Sequence, residues 1–370
     1  MMQQTSAGAR PDRCWRRQKE RGLGTVANTA SADADQAERG TRGEPATIRD
    51  VARSANLSIA SVSRALNGHA NVHPETRARV IAVAQELGYV PNAAARSLST
   101  QRTQAIGVVL PDFHGEFFSE LMRGMDSAAS THGYQLLMSN THADPGMTRH
   151  AIAAMLGRVD GLVVMAPQFG TAELLGSLPQ HLPTVLANTR DGTGRHTIRI
   201  DNRQGAALAV EHLVALGRRN IVHLSGPSAN IDALERREGF VAALARLAPD
   251  LPVRICDGDF QDEYGHRIVA GMIAAGETFD AIFAANDMMA LGALHALREA
   301  GIDVPGQVAV IGFDDIPLAR YLSLTTLRVD VAGVGGRAIE RLVSEIGLAA
   351  PPAVTEAITP ALIVRQSTSG

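Results

Sequence analysis

Apolar positions follow two different rhythms along the chain. Between Thr47 and Gly88 they recur at helical spacing in short stretches. From Ala105 onward, short and nearly continuous apolar runs alternate with amphipathic stretches of about ten to fifteen residues. The runs include AIGVVLP, GYQLLMSN, DGLVVMAP, PTVLANT, NIVHLSG, DAIFAAND and VAVIGFDD, with TTLRVD later. Strands apolar on both faces belong to parallel sheets covered by helices on both sides. The pattern continues over roughly 260 residues, more than one such unit needs, so it predicts an α/β body of two doubly wound parallel-sheet subdomains. In such sheets ligands sit beyond the carboxyl ends of strands. Those ends carry Asp112, Asn188, Asn286, Asp287, Asp314 and Asp315. Each suits a helix cap, but their recurrence points to a binding cleft.

The N-terminal rhythm predicts three short helices. In TIRDVARSANLSIASVSRALNG, Thr47 can cap a first helix with Ile48, Val51 and Ala52 on its apolar side. Asn56 stands between helices, where a left-handed residue is often needed. Ser58 can cap a second helix whose Val62 and Leu66, four apart, face inward. Ile59, Ala60, Ser61, Ser63 and Arg64 are then left outside the core. A third helix starts at Pro74, carries Val80, Ile81, Ala84 and Leu87 at helical spacing, and stops at Gly88. In a helix-turn-helix, the first residues of the second helix enter the DNA major groove, where apolar groups meet thymine methyls and Ser or Arg meets base edges or phosphates.

Composition narrows the choices. Of 370 residues, 45% are apolar and 20% charged, enough for a well-buried core. The net charge of -3 gives no general attraction to nucleic acid, but Ala46–Arg102 holds seven arginines against three acids. Lys19 is the only lysine, so arginine use reflects composition as much as chemistry. Two cysteines, Cys14 and Cys256, support neither a disulfide framework nor a zinc site, and a reducing compartment fits. No apolar run approaches a membrane span, and the N-terminus lacks a signal-peptide core, which points to the cytoplasm. Residues 1–45 are polar, aperiodic and expected to be disordered.

The run from Thr47 to Leu98, followed by IGVVLPD, DNRQGAALAVEHLVALGRRNIVHLSG, ANDMMALGAL, VIGFDD, LTTLRVD and ALIVRQST, resembles the lac repressor family of bacterial transcription regulators. The resemblance covers nearly everything from Thr47 to the C-terminus in the family's order. It implies a helix-turn-helix domain over 46–90, a hinge helix and linker over 91–103, and an effector-binding and dimerisation body over 104–370. That body would be similar to periplasmic binding proteins, with one subdomain at about 104–200 and 330–348 and the other at about 201–329 and 349–368. The chain would cross between them near Ile200, Val329 and Ala349.

Carried over by position, the resemblance makes Ile59, Ala60 and Arg64 base-reading residues. Ser58, Ser61, Ser63, Asn67, Asn71 and Thr76 would position phosphates, and Thr47, Asn92 and Ala95 complete the DNA-facing set. In the hinge segment NAAARSL, Leu98 would wedge into the minor groove at the centre of a palindromic operator. Asn56 replaces the usual turn glycine, and His73 stands where Ser or Thr usually caps the third helix. For the effector the matching positions are Phe113, Phe117, Asn188, Arg236, Asp287 and Asp314. One arginine among several Asn and Asp groups suits a sugar or related polyol, while aromatic walls also suit a nucleoside or purine.

Effector closure would rotate the subdomains and alter DNA affinity through the hinge. No leucine-heptad helix follows ALIVRQSTSG, so a homodimer is expected and not a tetramer. A free-standing sugar-binding protein shares the body but leaves the first hundred residues without a role. An enzyme is disfavoured: there is no P-loop, no GxGxxG at a first strand and no nucleophile elbow, and no cofactor or metal is called for.

Overall fold

A computed structural model of the protein describes residues 46–68, 71–90, 102–189, 194–347 and 353–369. The expected N-terminal extension, and Asn92, Ala95 and Leu98 of the expected hinge, lie outside the described residues. The chain divides into two compact units, Met1–Pro91 and Asn92–Gly370.

The first unit consists of α1 (Ile48–Ser54), α2 (Ile59–Leu66) and α3 (Pro74–Glu86). Thr47 precedes α1, and both its backbone N–H and its hydroxyl donate to Asp50 Oδ2, at 3.0 and 2.7 Å. Ser58 caps α2 by accepting from the Ser61 N–H at 3.1 Å. Asn56 has the left-handed backbone its position predicts, φ +50°. Val51, Ala52, Ala55, Val62, Ala65, Val80 and Ala84 make the core. The inner face of α2 is therefore Val62 with Ala65, three apart, and the predicted Leu66 is only half-buried beside them. Likewise Ile81 and Leu87 are exposed, because small alanines already fill the space between three short helices. His73 makes no side-chain cap on α3, the consequence expected of replacing Ser or Thr there.

The second unit has strands β1 (Ala105–Leu110), β2 (Gln135–Asn140), β3 (Gly161–Met165), β4 (Thr184–Ala187), β5 (His196–Ile200), β6 (Ile221–Leu224), β7 (Arg254–Cys256), β8 (Ala281–Ala284), β9 (Ala309–Asp314), β10 (Thr325–Arg328), β11 (Thr355–Ile358) and β12 (Ala361–Ile363). They form two six-stranded sheets, ordered β11-β5-β4-β3-β1-β2 and β12-β10-β9-β8-β6-β7. The first is wholly parallel; in the second only β12 runs antiparallel, against β10. The strands that apolar runs do not reveal are β5, β7, β11 and β12. They are short, and β7, β11 and β12 lie at sheet edges, so polar residues suffice there.

The helices of this unit, among the described residues, are α4 (Glu116–Thr131), α5 (Pro145–Met155), α6 (Thr171–Ser177), α7 (Asn202–Ala215), α8 (Ile231–Leu247), α9 (Asp262–Ala274), α10 (Asp287–Glu299), α11 (Pro317–Tyr321) and α12 (Val331–Glu345). The chain passes from the first sheet to the second after Ile200 and returns around Val329 to place α12 on the first sheet. The third passage is at Thr359–Pro360, not near Ala349, because Thr355–Ile358 pairs with β5 and extends the first sheet before β12 joins the second. One apolar cluster includes Ile106, Met125 and Ile339 of the first subdomain and Phe240, Phe283 and Phe313 of the second.

Candidate functional site

On α2 the outward residues are those left over by packing. Ile59 is 46% exposed, a costly placement for a large apolar side chain that touches only solvent. Ala60 and Arg64 are exposed beside it, and Arg64 Nε donates to the Ala60 carbonyl at 3.2 Å. Ser61, Arg64, Asn71 and Thr76 surround one shallow recess with Leu57, Val72 and His73. Helix α2, the turn after it and α3 thus bring four expected DNA-facing residues to a single face. Asn67 and Ser63 are tied to each other at 3.3 Å, and Ser58 and Thr47 serve as the helix starts described above.

In the body, a cavity of about 90 Å³ lies between the subdomains. Pro111, Phe117, Phe118, Met165 and Pro167 come from the first, and Asn230, Asp232, Arg236, Phe260, Asn286 and Asp314 from the second. Phe117 and Phe118 meet edge to face, 5.3 Å between centroids. Opposite them Arg236 is 4% exposed, with its guanidinium carbon 3.7 Å from the Phe313 ring centroid. Its Nε donates to Asn202 Oδ1 at 2.8 Å and its Nη1 to the Ala285 carbonyl. Close packing of α8 on α7 sets this position: a Cβ on Gly239 would stand 2.6 Å from the Arg203 carbonyl.

Asp314 ends β9 with φ +114°. Its Oδ1 lies 3.7 Å from Arg236 Nη2, beyond hydrogen-bond reach, and has no hydrogen-bond partner. Burial pushes its pKa up to about 7 despite the pull of Arg236, and the nearby Asp232 adds to the rise. Asp232 is also raised by burial, although it accepts from Asn202 Nδ2 at 2.8 Å. Asn230 and Asn286 turn their side-chain oxygens to the first turns of α8 and α10, and Asn286 Nδ2 donates to the Phe260 carbonyl. The arrangement offers an aromatic wall, a buried cation and a buried acceptor that no protein donor satisfies. A small molecule with hydroxyl groups matches that set.

Of the expected effector residues, Phe117, Arg236 and Asp314 line the cavity and the other three do not. Phe113 packs half-buried on the core. Asp287 accepts from Thr326 Oγ1 at 2.6 Å and the Ile316 N–H at 2.9 Å, stitching α10 to the end of β9 and to β10. Burial, then the charge of Asp314, lifts its carboxyl well above the usual range. Asn188 is buried after β4, its N–H bonded to Ile198 and its Oδ1 without a partner. Residues missed by sequence reasoning include Phe118, Asn230, Asp232 and Phe260. Asn286 was noticed as a strand-end residue, yet its neighbour Asp287 was preferred.

Phe117 also borders a wider recess of about 340 Å³ that contains Arg123, Arg328 and Arg365. Those cations already face Glu120 or Asp315, so the recess has less unmet polarity than the smaller cavity.

Residues 47–92 match the model of bacterial regulatory proteins of the lacI family, and 210–368 match a periplasmic binding protein-like domain. Catabolite control protein A of Priestia megaterium is 34% identical over 304 residues, covering 80% of this chain and 91% of that protein. The structure of a lac repressor dimer bound to operator and the anti-inducer ONPF is 29% identical, with a TM-score of 0.80, covering 88% of this chain and 99% of that one. A complex of the transcriptional regulator CelR with cellobiose is 28% identical, with a TM-score of 0.63, covering 87% and 99%. By this identity and coverage, the chain belongs to the lacI family of bacterial regulatory proteins, DNA-binding transcriptional regulators with a ligand-binding sensor body.

Proposed function

We propose that the protein is a repressor acting in the cytoplasm, which binds a palindromic operator as a homodimer and responds to a sugar or related polyol held between its subdomains. The observation that carries the effector class is Asp314, a buried carboxylate with an unpartnered oxygen beside Arg236 and opposite Phe117 and Phe118. An acceptor and a forked donor together match the mixed donor and acceptor character of sugar hydroxyls, and aromatic faces match the apolar faces of a sugar ring. The likeness to a regulator in complex with cellobiose supports the same class.

On the DNA side, Ile59, Ala60 and Arg64 read bases, while Ser61, Asn71 and Thr76 hold phosphates. Residues 91–103 act as the hinge, with Leu98 as the minor-groove wedge. Arg199 on β5 pairs with Glu235 of α8, and Arg203 of α7 joins the same carboxylate at 2.7 Å. The Arg199–Glu235 pair ties the first sheet to a helix of the second subdomain beside the first passage of the chain, and Arg203 holds Glu235 from within that second subdomain. Effector closure is expected to rework the Arg199–Glu235 pair, since it spans the two bodies that rotate. The relatives named above are regulators, and no catalytic step is assigned to this chain.

The test is an electrophoretic mobility shift with DNA upstream of the protein's own operon, run with a panel of sugars and nucleosides. A specific shift altered by a sugar is expected. A shift altered only by a nucleoside would replace the effector class, and no specific shift at modest salt under any ligand would overturn the repressor reading.

A further inference from the structure

The second subdomain carries a cluster of metal-binding side chains that the effector cavity does not use. Asn286, which borders the cavity, caps the start of α10, whereas His295 and Glu299 sit in its last turns, about 15 Å further along at 1.5 Å per residue. The two are one turn apart and so project from the same face. His266, on the neighbouring α9, meets them there. His266 Nε2 is 2.6 Å from Glu299 Oε2, and His295 Nε2 is 3.5 Å from Glu299 Oε1. One ligand atom from each of the three lies within 4.8 Å of the other two. The two imidazole rings are 5.0 Å apart between centroids.

The helices that present these groups have little freedom to separate or slide. A Cβ on Gly292, one turn before His295, would stand 1.9 Å from the Asp262 carbonyl and 2.7 Å from the His266 nitrogen. A Cβ on Gly265, beside His266, would stand 2.2 Å from the Met289 carbonyl. Backbone therefore rests on backbone on both sides of the cluster, and sites built on locked helices hold their geometry best. Arg267, the cation next to His266, is engaged with the Tyr264 ring at 4.7 Å. All three side chains retain solvent access, so an ion has a path to them.

We propose that His266, His295 and Glu299 bind a divalent transition metal ion of the zinc class, with water in the remaining positions. Bonds of about 2.0–2.2 Å to imidazole nitrogen and carboxylate oxygen place neighbouring ligand atoms roughly 3–3.5 Å apart. The separations of 2.6 and 3.5 Å bracket that range, so side-chain rotation alone admits the ion. Two imidazoles in a set of three favour zinc, nickel, cobalt or copper over calcium and magnesium, which take oxygen ligands. A bound ion would staple α9 to α10, and α10 starts at the effector cavity.

The experiment uses the full chain without an affinity tag, stripped by a chelator and titrated with Co²⁺ while visible absorption is read, followed by competition with Zn²⁺. One equivalent of Co²⁺ with ligand-field bands, displaced by Zn²⁺, is expected. His266→Ala and His295→Ala should each weaken binding by at least about 100-fold, and Glu299→Gln by about 10-fold. His150→Ala, which removes an exposed histidine on α5, should leave binding unchanged. Apo melting curves identify any variant that fails to fold; His295→Gln, which keeps bulk and polarity, then takes its place. No ligand-field absorption with Co²⁺ in large excess, or binding that survives loss of both histidines, would overturn the site and leave a hydrogen-bonded surface cluster.

Discussion

The two units put their chemistry on opposite sides of their cores. In the helix-turn-helix, the proposed readers Ile59, Ala60 and Arg64 lie on an exposed helix face while Val62 and Ala65 beneath them hold the fold. In the body, Arg236 and Asp314 are themselves buried, so the proposed binding groups are among the groups that pack. Surface readers and scaffold are therefore separable in the first unit and inseparable in the second.

Three substitutions bear on that contrast. Arg236→Ala removes a buried guanidinium from Asn202, Ala285 and Asp314, and should lower folding stability by about 4 kcal/mol, measured by chemical denaturation. A loss below about 1 kcal/mol would mean that the body tolerates its binding residues as loosely as a surface does.

Asp314→Asn comes next and acts through pH. A carboxyl whose folded pKa is about 7 binds its proton more tightly in the folded state than in the unfolded one, where the value is near 4. Its contribution to stability is therefore fully present below about pH 4 and is lost as the pH rises to about 7. Wild type should lose stability relative to Asp314→Asn across that window by on the order of 4 kcal/mol. Parallel pH profiles for the two proteins would show that Asp314 titrates as an ordinary carboxylate.

The smallest effect belongs to the other unit. Arg64→Ala should leave stability within about 0.5 kcal/mol and weaken operator binding by about 2 kcal/mol, or thirty-fold, read by fluorescence anisotropy. If Arg64→Ala destabilised the fold as much as Arg236→Ala, the division between reader and scaffold would be lost.

The same contrast explains which features were legible. Helical periodicity exposes a surface reader by subtraction: once Val62 is assigned inward, Ile59, Ala60 and Arg64 face outward. The subtraction was imperfect at Leu66, because Ala65 and not Leu66 completes the inner face. Ile81 failed for a related reason, since a core of short helices filled by alanines has no room for every apolar residue that shares their spacing. In the body, strand ends point to the cavity end of each sheet, but of the residues there only Asn286 and Asp314 line the cavity, while Asp112, Asn188, Asp287 and Asp315 do not. Asn286 and Asp287 are adjacent, yet one borders the cavity and the other is locked to Thr326 and Ile316. Phe113 and Phe117 are four apart, yet only Phe117 reaches the cavity, where Phe118 accompanies it.

By itself the sequence determined the succession of elements: three helices, then alternating strands and helices, with a cap at Ser58, a helix start at Pro74 and a left-handed turn at Asn56. These follow from interactions between residues a few positions apart, which composition and spacing record directly. Tertiary structure alone decided that Thr355–Ile358 belongs to the first sheet and that Asp314 Oδ1 lacks a hydrogen-bond partner. It also decided that Phe117, Phe118, Asn230, Arg236 and Phe260 enclose one cavity. The physical reason is that register across a sheet and closure between two subdomains depend on contacts between residues far apart in the chain, and no local pattern carries them.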